Sequence, residues 1–106
     1  MGYIIVFITT STFEEADLIA SHLVNEKIAA CTNIISNIQS VFRWKGKVER
    51  AREYLLIVKS KKNLLKELIK IVKNLHSYEV PEIIAIQAVG GNRDFLNWIE
   101  KSVKTL

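Results

Sequence analysis

Between Ala29 and Val58 two extended runs meet at Trp44-Lys45-Gly46-Lys47, one rising from Ile28 to Arg43 and the other leaving from Val48. Gly46 supplies the turn, so the segment reads as a β-hairpin. Its arm is longer than a chain of 106 residues needs for its own sheet. Asn33, Ser36, Asn37 and Ser40 interrupt the first run and predict a bend or bulge in place of a flat ribbon. In the second run, Val48 to Glu53 is charged and is expected to project. Tyr54 to Val58 is wholly apolar and belongs inside the sheet.

The flanking segments complete the pattern. Tyr3 to Thr9 is apolar and β-branched without alternation, as in a central strand covered on both faces. Thr12, with Glu15 three residues on, is placed to cap a helix ending near Lys27, whose Ala16, Ile19, Ala20, Leu23 and Val24 form one buried stripe. A second helix is predicted from about Lys61 to His76, buried through Leu64, Leu65, Leu68, Ile69, Val72 and Leu75 and stopped before Pro81. Ile83 to Val89 is the last core strand. Gly90-Gly91 then breaks the chain before Asn92, which caps a short helix carrying Phe95, Leu96 and Ile99.

The order βαββαβ plus a short C-terminal helix is that of an α+β, ferredoxin-like split βαβ fold, one domain over residues 1–106. In that fold both helices cover the same face of an antiparallel sheet. An alternate set among Tyr3 to Ile8, with Leu55 or Leu56, would then stay wet, at a cost of roughly 1.5–3 kcal/mol for each large apolar side chain. Further copies of the same chain are the simplest cover. The long hairpin arm is expected to extend a neighbour's sheet.

Charge and cysteine usage exclude several classes. Fifteen Lys and Arg against eleven Asp and Glu leave a net charge of +4. Much of that excess is Lys59, Lys61, Lys62, Lys66, Lys70 and Lys73, read as a solvated helix face and not as a nucleic-acid surface. RNA-recognition domains share this element order, but they carry a Lys/Arg-Gly-aromatic run on a central strand. Lys47 to Val58 has none, and Tyr54 is its one aromatic. The single cysteine, Cys31, has no internal partner, and the N-terminal segment lacks a basic leader and a cleavage site, so the cytoplasm is expected. The apolar runs are too short to span a membrane. No nucleophile–base pairing, phosphate loop or metal-hydrolase motif marks an enzyme.

Four stretches, in order, resemble one known family: Glu26-Lys27-Ile28-Ala29-Ala30-Cys31-Thr32-Asn33, Ser40-Val41-Phe42-Arg43-Trp44-Lys45-Gly46-Lys47-Val48-Glu49, His76-Ser77-Tyr78-Glu79-Val80-Pro81-Glu82-Ile83 and Phe95-Leu96-Asn97-Trp98-Ile99. They resemble the CutA divalent-cation tolerance proteins and span nearly the whole chain. The resemblance implies a tight homotrimer similar in architecture to the PII signalling proteins. It also implies a role in metal-ion tolerance or response, with copper or another divalent cation as a possible ligand. An animal relative is associated with anchoring acetylcholinesterase, a role not carried over to this chain, whose protein partner is left unknown. Family members credited with copper use a cysteine at the end of the first strand and two adjacent histidines before the Tyr-x-x-Pro-Glu stretch. Those positions here read Ile8, Leu75 and His76, so only one donor is kept.

His76 and Cys31 are therefore the candidate metal ligands, with nearby carboxylates. Their plainer roles are a helix-terminating histidine and a small buried hydrophobe. His22, on the first helix, reads as a solvated surface residue. Glu53, Lys59, His76, Tyr78 and Glu82 flank apolar strands and are candidates to converge on an intersubunit cleft, against the simpler reading that they pair with one another or face water. Val41, Phe42 and Trp44, beside the turn, are the candidate oligomer interface, with Trp44 as its anchor; Trp98 reads as a packing residue. The competing function is a non-catalytic signalling or scaffold module that binds small ligands or partners at those clefts.

Overall fold

The computed structural model describes residues 2–105. Its elements run β1 (Tyr3–Thr10), α1 (Phe13–Asn25), β2 (Cys31–Trp44), β3 (Lys47–Lys61), α2 (Leu65–Leu75), β4 (Ile83–Gln87) and α3 (Arg93–Ser102), with one 3₁₀ turn over Lys62–Leu64 before α2. The four strands form one sheet in the order β2-β3-β1-β4, every pair antiparallel. This is the α+β, split βαβ arrangement expected from the element order.

Alternation along the strands separates the two faces. Ile4, Val6 and Ile8 of β1 and Leu56 and Val58 of β3 point one way and are buried. They pack with Ala16, Ile19, Ala20 and Leu23 of α1 and Leu68 and Val72 of α2, so both helices cover that face. A smaller cluster of Ala30, Leu64, Ile99 and Val103 seats α3 near the start of β1, against Tyr3. The Lys61 ammonium, 2.7 Å from Glu100, anchors α3 there. On the opposite face, Ile5, Phe7, Leu55 and Ile57 are half-buried, while Ile35, Ile84 and Ile86 are exposed. The expectation that β1 is covered on both sides therefore fails for the single chain. The expectation of a wet apolar set is met.

The hairpin arm is real, and its strands run well past the sheet that roots it. β1 pairs with β3 from Lys61 only as far as Tyr54, whereas β2 accompanies β3 from Lys59 to Lys47. Beyond Glu53 the two strands overhang by about 20 Å, and the molecule measures 43 × 25 × 22 Å. At the tip Lys45 and Gly46 both adopt positive φ, 50° and 80°, the backbone of a type I′ turn that matches strand twist. The predicted interruption is a bulge between Ile35 and Ile38, where Asn37 takes φ 66°. Val48 to Glu53 does project, as one continuous strand with Tyr54 to Val58.

Element ends differ from the expected ones for local reasons. Thr12 Oγ1 accepts the Glu15 amide at 3.1 Å, as a cap should, but α1 stops at Asn25 because Lys27 turns to φ 59°. Val24 is then exposed and leaves the predicted stripe. Residues 28–30 are buried but lie outside β2. α2 starts at Leu65, not Lys61, because β3 runs on through Lys61 and the Lys62 amide donates to the Gly2 carbonyl at 2.6 Å. β4 is shorter than predicted, ending at Gln87. Asn92 caps α3, its Oδ1 accepting the Asp94 amide at 2.8 Å.

Candidate functional site

The loop that leaves α2 crosses the end of β1 and faces the root of the arm. Pro81 has no N–H and cannot continue a helix, so His76 to Glu82 takes an irregular path whose polar groups must find partners off the helix. The ring of His76 has no solvent exposure. Its Nε2 lies 2.7 Å from the Thr9 carbonyl, which can only accept, so that nitrogen carries the proton. Its Nδ1 accepts the Tyr78 amide at 3.1 Å. The pattern is that of the neutral ring, and both nitrogens are used. Glu15, four residues beyond Ser11 in α1, reaches the same loop: its carboxylate accepts the Ser77 amide at 2.6 Å and the Ser77 hydroxyl at 3.1 Å, and lies 4.0 Å from His76 Nδ1.

This scaffold aims Tyr78 at the arm. The Tyr78 ring sits 4.7 Å from the His76 ring, centroid to centroid, and its hydroxyl donates to Glu53 Oε2 at 2.6 Å. Glu53 is 5% exposed, so the bond answers the cost of burying a carboxylate. Burial, and then the Glu53 hydrogen bond, push the Tyr78 hydroxyl well above its ordinary range and keep it a donor. Partial desolvation, followed by the charge of Glu53, pushes the Glu82 carboxyl up. Two carboxylates thus feel each other, and among the described residues neither forms an ion pair.

Around them is a groove of about 980 Å³ between the arm and the loop. The arm contributes Ser40 to Trp44 and Glu49 to Ala51, and the loop Ser77 to Glu82, with Thr9 and Glu53 completing the lining. Val41, Phe42 and Trp44 are exposed on the arm, and Lys45 Nζ lies 5.7 Å from the Trp44 ring centroid. Four of the five cleft candidates, Glu53, His76, Tyr78 and Glu82, are gathered here. Lys59 is not. Its ammonium bonds Asn33 Oδ1 and lies 3.8 Å from Cys31 Sγ, on the uncovered sheet face.

That placement also separates the two candidate metal ligands. Cys31 is level with Lys59 and Ile5, whereas His76 binds the carbonyl of Thr9, four residues further along β1 and about 13 Å away. A thiolate and an imidazole on one ion lie within about 4 Å of each other. Cys31 and His76 do not meet. Ile8 is fully buried and Leu75 packs against the core, so the residues present do not fit copper held by thiolate and imidazole. Among the described residues no group of three or more His, Cys, Asp and Glu is arranged around an ion. His22, half-buried, stands in the last turn of α1. Sequence reasoning missed Glu15, which reads locally as a capping residue and acts on a loop more than 60 positions away.

The family model described as CutA1 divalent ion tolerance protein matches residues 4–102. A protein of Thermus thermophilus named divalent-cation tolerance protein CutA is 42% identical over 92% of this chain and 95% of its own length. A rice protein named CutA 1, chloroplastic, is 42% identical over 95% of this chain, which spans 57% of that longer relative. The solved structure of the divalent cation tolerance protein from Thermus thermophilus superposes with a TM-score of 0.94 at 40% identity, covering 96% of this chain and 99% of that one. No helix here is long and apolar enough to cross a membrane, among the described residues. With the model match spanning all four strands, the chain belongs to the CutA1 divalent ion tolerance family.

Proposed function

We propose that this chain is a non-catalytic, homotrimeric, PII-like member of that family that works in the cytoplasm in the response to divalent metal ions, copper among them. It holds such ions weakly, through carboxylate oxygens of the groove and not through Cys31 and His76. The observation that carries this reading is the Glu53–Glu82 pair. Both line one groove, the Glu82 carboxyl is pushed up by partial burial and then by the charge of Glu53, and neither carboxylate forms an ion pair among the described residues. A divalent cation is the small charge that such oxygens accept most readily.

Other features support the remaining parts. The uncovered face of the sheet and the overhanging arm favour assembly of several copies. Both nitrogens of His76 are engaged, which leaves the groove without a free imidazole base. The one cysteine is free, in keeping with a reducing compartment.

Calorimetry on reduced protein with copper, zinc and cadmium, alongside light scattering, tests the reading. Expected are a trimer mass and weak saturable binding that Glu82→Gln abolishes and Cys31→Ala leaves intact. Absence of saturable binding by the parent protein removes the ion role. A monomer mass removes the trimer.

A further inference from the structure

The six lysines that read as one solvated helix face divide in the fold. Lys59 turns to Asn33 and Lys61 is paired with Glu100, which leaves Lys62, Lys66, Lys70 and Lys73. All four are exposed, and none forms an ion pair among the described residues. Spaced at i, i+4, i+8 and i+11, they make one stripe about 16 Å long on the outer side of α2 and of the 3₁₀ turn before it. Asn74 is the one other exposed residue of α2, so no exposed apolar side chain interrupts the stripe. A helix face that merely meets water gains from an acid four residues from each lysine. Here the partners at that spacing are lysines again, Lys62 with Lys66 and Lys66 with Lys70. Lys62 and Lys66 also stand at the N-terminal end of α2, where the helix dipole opposes a cation. The arrangement destabilises the helix by itself, and an anion laid along it relieves the repulsion.

We propose that this stripe docks an extended acidic segment of a partner protein. Carboxylates on alternate residues of an extended chain recur about every 6.7 Å, close to the spacing of about 6 Å between lysines four apart on a helix. The charges around the stripe require a narrow partner. α1, beside α2 on the same face of the sheet, has no Lys or Arg and exposes Glu14 and Asp17, with Glu26 and Lys27 just beyond its end. Glu79 shares a shallow hollow with Lys73, and Glu67 is taken by Lys104 at 2.6 Å. A membrane or a nucleic-acid duplex spreads over both helices and meets the carboxylates of α1, whereas a single strand laid along α2 does not. The stripe also holds no aromatic ring on which a base could stack. It is built from lysine alone, and a point charge on a flexible stem suits a mobile acidic chain. Because the helices lie opposite the uncovered face of the sheet, the stripe stays open whether or not copies assemble, and the proposal is independent of the ion and assembly readings.

Fluorescence anisotropy on the full chain tests it, with a labelled peptide of alternating Glu and Ser and a control peptide in which Gln replaces Glu. Saturable binding of the Glu peptide alone, weakened by salt, is expected. Lys66→Glu should weaken that binding by about tenfold. The same change turns two like-charge pairs into Lys–Glu pairs, so the melting temperature should hold or rise while binding falls. Lys47→Glu, the same charge reversal at the exposed tip of the arm, should leave binding unchanged. Absence of saturable binding, equal binding of the Gln control, or an equal loss in Lys47→Glu overturns the proposal. Tighter binding of phosphatidylserine vesicles or of a DNA duplex than of the peptide overturns it as well, by assigning the stripe to a broad partner.

Discussion

The Tyr78 hydroxyl donates to the Glu53 carboxylate across 2.6 Å, joining the loop after α2 to the root of the arm. Tyr78→Phe removes the donor and leaves a buried carboxylate short of a partner. A loss of roughly 1–3 kcal/mol in unfolding free energy is expected, measured by urea denaturation at fixed protein concentration. Adding Glu53→Gln to that variant removes the charge and should return part of the loss.

His76→Ala strips a donor from the Thr9 carbonyl and an acceptor from the Tyr78 amide in one step. Two partly buried backbone groups lose their partner, so the expected cost is at least that of Tyr78→Phe, roughly 1–3 kcal/mol for each group left without one. Hydrogen exchange at the Tyr78 amide should quicken more than exchange in α1. Equal change in both would place the effect in the global fold and not in the loop.

Glu82 carries the pH dependence. Its carboxyl binds a proton more tightly in the fold than its ordinary value of 4.5 implies, because partial desolvation and Glu53 oppose its ionisation. Stability therefore falls as pH rises from about 4.5 through the raised value. Glu82→Gln abolishes this slope: the variant should melt above the parent at neutral pH and match it at pH 4. A parent whose melting temperature is flat over that interval would contradict the assignment.

At the tip, Gly46 has φ 80° and nothing within 4 Å of where a Cβ would stand. Space is free, but the left-handed backbone disfavours a side chain. Gly46→Ala is expected to cost about 1–2 kcal/mol of local arm stability, read as faster amide exchange between Val41 and Arg50. The core residues around Val58 should not respond.

In the core, Leu68 is fully buried between α2 and the sheet. Leu68→Ala should destabilise by about 2–5 kcal/mol, with the midpoint of chemical denaturation as the measure. Leu18, exposed on α1, is the control, and Leu18→Ala should shift the midpoint little.

Much of this fold is legible in the chain because its signals are local. Thr12 and Asn92 are caps by residue type, Gly46 marks the turn, and the fold class follows from the order of the elements. The ends are harder, since they depend on contacts. α2 begins late because β3 runs on through Lys61 and the Lys62 amide is taken by Gly2. The site follows the same division. Glu53, Tyr78 and Glu82 stand out as polar residues at strand ends, but nothing in their spacing says that Tyr78 bonds Glu53 or that Lys59 turns away to Asn33. Glu15 satisfies the rule for a helix start so well that its second task, holding Ser77, leaves no trace in sequence.

The bulge at Asn37 has a larger effect than its one residue suggests. Ile35 stands opposite Leu55 and Ile38 opposite Glu53, three steps on one strand against two on the other. Odd-numbered side chains of β2 share a side with Leu55 before the bulge, and even-numbered ones share it after. Phe42 and Trp44 thereby come round to the side of Glu53 and Glu49. Deleting Asn37 would restore strict parity and turn the outer arm over, transposing every residue from Ile38 to Trp44 without altering one of them.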